Sequence, residues 1–336
     1  MESVVRLALA LMPVLVFLLI LILLDSYKLV TRRLVASLLL AGAVAAALSL
    51  VFHLVISRSV GIGPVALARY VAPVTEELLK GICVVFLVRS QRIGFLVDSA
   101  IAGFAVGAGF ATFENVHYFL ALDDANVLLW LIRGFGTAVM HGSVTAIMAI
   151  VSKHLVDTHG SSSLGIFIPG WLVAAGLHSV FNHFLLSPNQ ATAILLLVLP
   201  IFFVTVFRFS ESRTREWLGS GFDSDAELLR LVNSGQVSNS RIGEYLETLK
   251  SHLEGPVVAD MVCLLRLRLE LSIKAKGMLL MRQAGFEAEP DPETEEHFAE
   301  LEYLEKSIGR TGLLALNPIF HLSDRDLWQY YMLGRT

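Results

Sequence analysis

Seven runs of mostly apolar residues dominate the chain, at 4–24, 34–56, 65–88, 95–121, 127–151, 165–186 and 191–209. A helix needs about 20 such residues to cross the hydrocarbon of a bilayer. In lipid the backbone must satisfy its own hydrogen bonds, so runs of this length select helices. The expectation is an all-α, polytopic membrane protein with about seven transmembrane helices. The first run lacks a small-x-small cleavage site before "DSYK" and reads as a retained anchor helix.

The charge is unevenly divided. Residues 1–209 hold 12 Lys+Arg and 9 Asp+Glu, whereas 210–336 hold 14 and 21. The chain thus divides into a membrane domain, 1–209, and a mildly acidic, soluble helical domain, 210–336. A net charge of −4 points away from nucleic acid. Lys28, Arg32, Arg33, Arg89, Arg92, Lys153, Arg208, Arg213 and Arg215 occupy alternate loops, while the second, fourth and sixth loops carry only Arg58. By the positive-inside rule the N-terminus is outside and the tail cytoplasmic. Cys83 and Cys263 sit in no metal or redox motif and suggest no disulfide framework.

In the tail, helices are expected over "DSDAELLRLVNSG", with Asp/Ser at its start, over "SRIGEYLETLKSHL", over 256–284, from "EPDPETEE", and over "SDRDLWQYYM". This is a helical bundle that docks or regulates, with room for a cytoplasmic partner.

The spans are not uniformly apolar. Arg69, Glu76, Glu77 and Lys80 lie in the third; Asp98, Glu114, Asn115 and His117 in the fourth; Arg133 and His141 in the fifth; His178, Asn182 and His183 in the sixth. The second has only His53, near its outer end. An ionisable group in a membrane is costly and marks an interior functional site. Glu76 and Lys80 are i,i+4 and Glu77 and Lys80 i,i+3, so Lys80 can neutralise one carboxylate and leave the other as a general base. Pro73 marks a kink. Two neutral imidazoles, His141 and His178, with a carboxylate such as Glu114, form a donor set suited to zinc. Asn182, i,i+4 from His178, can polarise a carbonyl. Gly103, Gly107 and Gly109 allow close approach of the fourth span to a neighbour. There is no HExxH, only one Glu-x-x-His (Glu114, His117) where a di-iron bundle needs two, and no Gly-x-Ser-x-Gly elbow.

These segments resemble those of PrsW-type membrane proteases. "EELLK" is similar to their Glu-Glu-x-x-Lys motif and "GFATFENVHY" to their second motif; the His141 segment and "HSVFN" resemble the third and fourth. The wider group includes the prenyl-protein CAAX proteases and bacteriocin-processing membrane proteins. The resemblance covers about residues 1–209 and not the tail. It implies an endopeptidase of the bacterial inner membrane that cuts a membrane-anchored protein, such as an anti-sigma factor, in regulated proteolysis. It also implies a site made of Glu76, Glu77, Lys80, Glu114, Asn115, His141, His178 and Asn182, with His117 as an alternative ligand.

The resulting expectation is that Glu76 or Glu77 activates water, with Lys80, Asn115 and Asn182 assisting. Glu114, His141 and His178 either hold zinc or stabilise the tetrahedral oxyanion directly. The rivals are an ion or proton transporter using the same carboxylates and an inactive protease-like scaffold. A transporter predicts an inverted repeat, and the chain has no second Glu-Glu segment.

Overall fold

A computed structural model describes residues 2–122, 126–286, 293–320, 329 and 332–334. The described residues are helical, with no strand, and cluster into two compact units, 1–211 and 212–336.

The first unit contains α1 (Glu2–Leu24), α2 (Arg32–Val60), α3 (Ala72–Arg89), α4 (Leu96–Ala121), α5 (Val139–His159), α6 (Ile168–Asn182) and the start of α7 (Pro188–Asn233). Among the described residues, six helices are long and apolar enough to cross a membrane; the expected third span is not one of them. It is helical from Pro64 to Arg89, but Glu76, Glu77, Lys80 and Arg89 all fall in α3 and lower its apolarity. The protein is integral to the membrane, and α3 turns Glu76, Glu77 and Lys80 inward while Val74, Leu78, Ile82 and Phe86 face outward.

α4 is the axis of the unit. Every residue from Leu96 to Ala111 is buried, as a helix apolar on all sides requires. Asp98 accepts hydrogen bonds from the backbone N–H groups of Gly94 and Phe95 and so caps the helix. Its glycines bring neighbours close. A Cβ on Gly107 would lie 2.3 Å from the His141 carbonyl oxygen, and one on Gly109 would lie 2.0 Å from that of Leu39. α4 therefore packs backbone to backbone against α5 on one side and α2 on the other, and Gly107 sits at the level of His141. α1, α2 and α7 turn many large apolar side chains outward, including Leu19, Leu40, Leu48 and Leu197.

Two π-helical segments interrupt the bundle. One, Leu67–Val71, leads into α3; the other, Arg133–Ala138, leads into α5. Single π turns inside helices are common at functional sites.

The second unit is a small bundle of α8 (Arg241–Leu249), α9 (Gly255–Gln283) and α10 (Glu293–Phe320) packed around Leu264, Leu271 and Leu301. One expectation changes here. α7 runs unbroken to Asn233, so Asp223 and Ser224 lie inside it and do not start a new helix. The segment "SDAELLRL" is rich in good helix formers, so nothing stops propagation before the left-handed Gly235 (φ 72°). α10 is kinked at Gly309 (φ 67°). The prolines of "EPDPETEE" and most of the last expected helix lie outside the described residues.

Candidate active site

Glu76 and Glu77 are consecutive on α3 and so point about 100° apart around it. Their environments differ accordingly. Glu77 is completely buried, bonded through Oε1 to the Lys80 Nζ at 2.5 Å and to the His178 Nδ1 at 2.9 Å, and through Oε2 to the Thr145 hydroxyl at 3.2 Å. Glu76 faces a cavity of about 380 Å³. Its Oε2 lies 4.0 Å from His178 Nε2 and its Oε1 4.0 Å from His53 Nδ1. The chain places one carboxylate in a saturated polar network and the other on the wall of a cavity.

Lys80 is buried among Glu77, His141 and Phe110. Its Nζ is 3.1 Å from His141 Nδ1 and 4.4 Å from the centre of the Phe110 ring. His141 and His178 meet edge to face, their ring centres 4.8 Å apart. Glu114 lies beside them, its Oε2 3.2 Å from His141 Nε2 and 3.4 Å from the Arg133 guanidinium.

Among the described residues one group has the donors and spacing for a metal ion. Glu76, His141 and His178 each offer a ligand atom, all within 4.8 Å of one another, and all three are buried. Two imidazoles and a carboxylate suit zinc or a similar first-row cation. The outer contacts of His178 fit as well. Its Nδ1–H donates to Glu77, the arrangement that holds a ligating histidine with Nε2 bare.

The other expected residues are placed as follows. Asn182 lines the cavity, and its Nδ2 donates to the Ala68 carbonyl oxygen at 2.9 Å. The π turn explains that bond. The Ala72 N–H is diverted to Leu67, and Pro73 has no N–H, so the Ala68 carbonyl loses its helical partners. Pro73 likewise leaves the Arg69 carbonyl without its i+4 donor, and Ser179 donates to it at 2.6 Å. Trp171 adds a third bond, to the Val74 carbonyl oxygen. Three side chains of α6 thus fasten it to the entry of α3. Asn115 does not line the cavity. Its Nδ2 donates to Ala10 and its Oδ1 accepts from Arg133 Nε, so it ties α1, α4 and the π turn before α5. His117 is exposed at the cavity mouth, against Tyr118, and is not in the metal-type group.

Three contributors were not expected at the site. Arg133 holds Glu114 and stacks on Tyr118, its guanidinium 3.9 Å from the ring centre. Thr145, one turn after His141, donates to Glu77. His53 lines the cavity from α2, fixed by Thr75. The rule that flags ionisable residues in membranes reaches Arg133 and His53, but it says nothing of which neighbour they meet.

Neither the curated proteins nor the solved structures supply a match. A family model does, the PrsW family intramembrane metalloproteases, over residues 30–207, which is more than half of the chain and contains every residue of the metal-type group. With that match resting on the helices that build this cavity, the chain belongs to the PrsW family of intramembrane metalloproteases.

Proposed function

We propose that this membrane protease hydrolyses a peptide bond of a membrane-anchored protein in the cavity between α2, α3, α4, α5 and α6. The observation that carries the reading is the buried convergence of Glu76, His141 and His178 on one cavity wall. These three would hold a divalent cation, with zinc as the assignment. Bound there, the ion supplies Lewis acidity toward the scissile carbonyl and acidifies a water molecule.

The protein's own groups do the rest. Glu77 keeps His178 oriented through Nδ1, and Lys80 keeps Glu77 anionic in a buried setting. Glu114, the second carboxylate on the cavity, takes the proton of the attacking water and passes it to the leaving nitrogen, and Arg133 holds it in place. Asn182 and Ser179 hold the two halves of the wall together.

The cavity is lined near the second, fourth and sixth loops, those poor in Lys and Arg. With the tail cytoplasmic, cleavage falls toward the outer face of a bacterial inner membrane. A single-span substrate such as an anti-sigma factor, cut beside its membrane segment, fits that position. The unit 212–336 is then a cytoplasmic helical domain that docks a partner.

The test combines metal analysis with cleavage of candidate single-span proteins. Glu76→Gln, His141→Ala and His178→Ala should lose both metal and activity. Glu114→Gln should keep the metal and lose at least a hundredfold in rate, within the usual range of a lost general base. A Glu76→Gln protein that cleaves normally would sink this reading.

One contact favours a second reading. A Lys80 ammonium donating to His141 Nδ1 leaves the ring proton on Nε2, directed at Glu114. In that state His141 is a donor and not a ligand, and Glu76 is the cavity carboxylate free to activate water without a metal. Activity that survives exhaustive chelation selects this alternative.

A further inference from the structure

His53 Nε2 meets the hydroxyl of Thr75 on α3. The Thr75 hydroxyl directs its single proton at the backbone carbonyls of Val71 and Ala72, at 3.0 and 3.2 Å. With its proton so directed it accepts toward His53, whose Nε2–H then donates to it at 2.8 Å. In the neutral ring this leaves Nδ1 as a bare acceptor. That atom lies 4.0 Å from Glu76 Oε1, another acceptor, and both residues line the cavity. A separation of 4.0 Å is too long for a direct hydrogen bond and suits a third group that donates to both.

Glu76 divides its oxygens between two sides. Oε2 faces His178, in the metal-type group, while Oε1 faces His53. Hydrolysis changes the scissile nitrogen from an amide with one N–H to an amine with two. A pair of acceptors matches the amine better than the amide, so it favours the late stage of the reaction over the bound substrate.

We propose that His53 Nδ1 and Glu76 Oε1 form the subsite for the leaving nitrogen, with His53 a substrate-contacting residue of the protease and Thr75 a positioning residue that fixes its tautomer. In the step, the water oxygen forms the bond to the carbonyl carbon and the C–N bond breaks. The water proton travels through Glu114 to the nitrogen, and His53 and Glu76 accept hydrogen bonds without a net gain or loss of protons. The inference rests on the first reading above, in which Glu114 carries the proton and Glu76 keeps its charge.

The test uses full-length protein, a peptide that the wild type cleaves, and its depsipeptide twin, in which an ester replaces the scissile amide. An ester has no N–H to donate. His53→Phe should lower the single-turnover rate on the amide about tenfold, the scale of one lost hydrogen bond, and leave KM, metal content and ester cleavage near wild type. His53→Asn, which keeps an acceptor close to the Nδ1 position, should recover most of the amide rate. Thr75→Val should reproduce part of the defect and add little to His53→Phe. Equal losses on amide and ester, or a wild-type amide rate in His53→Phe, overturn the proposal. Should His53→Phe fail to fold, the amide-to-ester ratio in His53→Asn and Thr75→Val decides the matter, and an unchanged ratio in Thr75→Val overturns it. Glu76→Gln separates the two levels. If it is inactive while His53 shows no amide selectivity, only the subsite falls; if it is active, the site reading falls with it.

Discussion

At the scale of single residues, the adjacent Glu76 and Glu77 divide their labour by direction. Glu77 is enclosed with Lys80, Thr145 and His178, so its contribution is to structure and orientation. Removing one partner of a buried ion pair costs about 3–5 kcal/mol, because the survivor stays buried and uncompensated. Lys80→Met should therefore lower the thermal stability of the purified protein strongly. The double variant Lys80→Met/Glu77→Gln should be more stable than Lys80→Met alone, which a melting series on the three proteins measures. Glu76 has no such partner within hydrogen-bond distance and should behave in the opposite way. Glu76→Gln removes a charge from a cavity wall, so the expected result is lost activity and, with both proteins compared free of metal, an unchanged or raised melting temperature.

At the scale of elements, the site depends on how α6 and α4 are held. The π turn Leu67–Val71 and Pro73 strip carbonyls of their helical donors, and Asn182 and Ser179 replace them. Losing such a bond beside the cavity costs about 0.5–1.5 kcal/mol. Asn182→Ala should thus reduce stability as well as rate, while Asn182→Asp, which cannot donate when ionised, should be no better. The comparison of melting temperature with rate for these two variants tests the assignment. On α4, Gly107 meets the His141 backbone with no room for a methyl group. Gly107→Ala should destabilise by about 1–3 kcal/mol and displace His141, seen as a loss of metal affinity together with melting temperature. Thr145 and Asp98 show the same point from another side. Each is a polar residue of a span whose purpose is local: one anchors Glu77 and the other caps α4.

At the scale of the whole molecule, the arrangement of charge in the loops predicts which side of the membrane each part occupies. The protein contains its own reporter. Of its two cysteines, Cys263 is exposed in the second unit and Cys83 is half-buried in α3. A membrane-impermeant maleimide should label Cys263 in inverted vesicles and not in right-side-out ones, and Cys263→Ala should abolish that labelling. Label taken up from the outside would reverse the orientation and move the cleavage site to the cytoplasmic face.

Much of this protein is legible in its chain. Length and apolarity of the runs determine a helical membrane protein because lipid offers the backbone no other partners. The cost of charge in lipid marks Glu76, Glu77, Lys80, Glu114, His141 and His178 as residues that must meet, and the four motifs in order point to the family that the match establishes. Spacing along one helix cannot say which of two neighbouring carboxylates faces a cavity, since that depends on how α3 is rotated against α5 and α6. Nor can it show that Asn115 holds Arg133 and Ala10 behind the wall, or that His53 on α2 reaches Glu76 across the cavity. Those contacts join residues from different helices, and only the packing of the bundle brings them within a few ångströms.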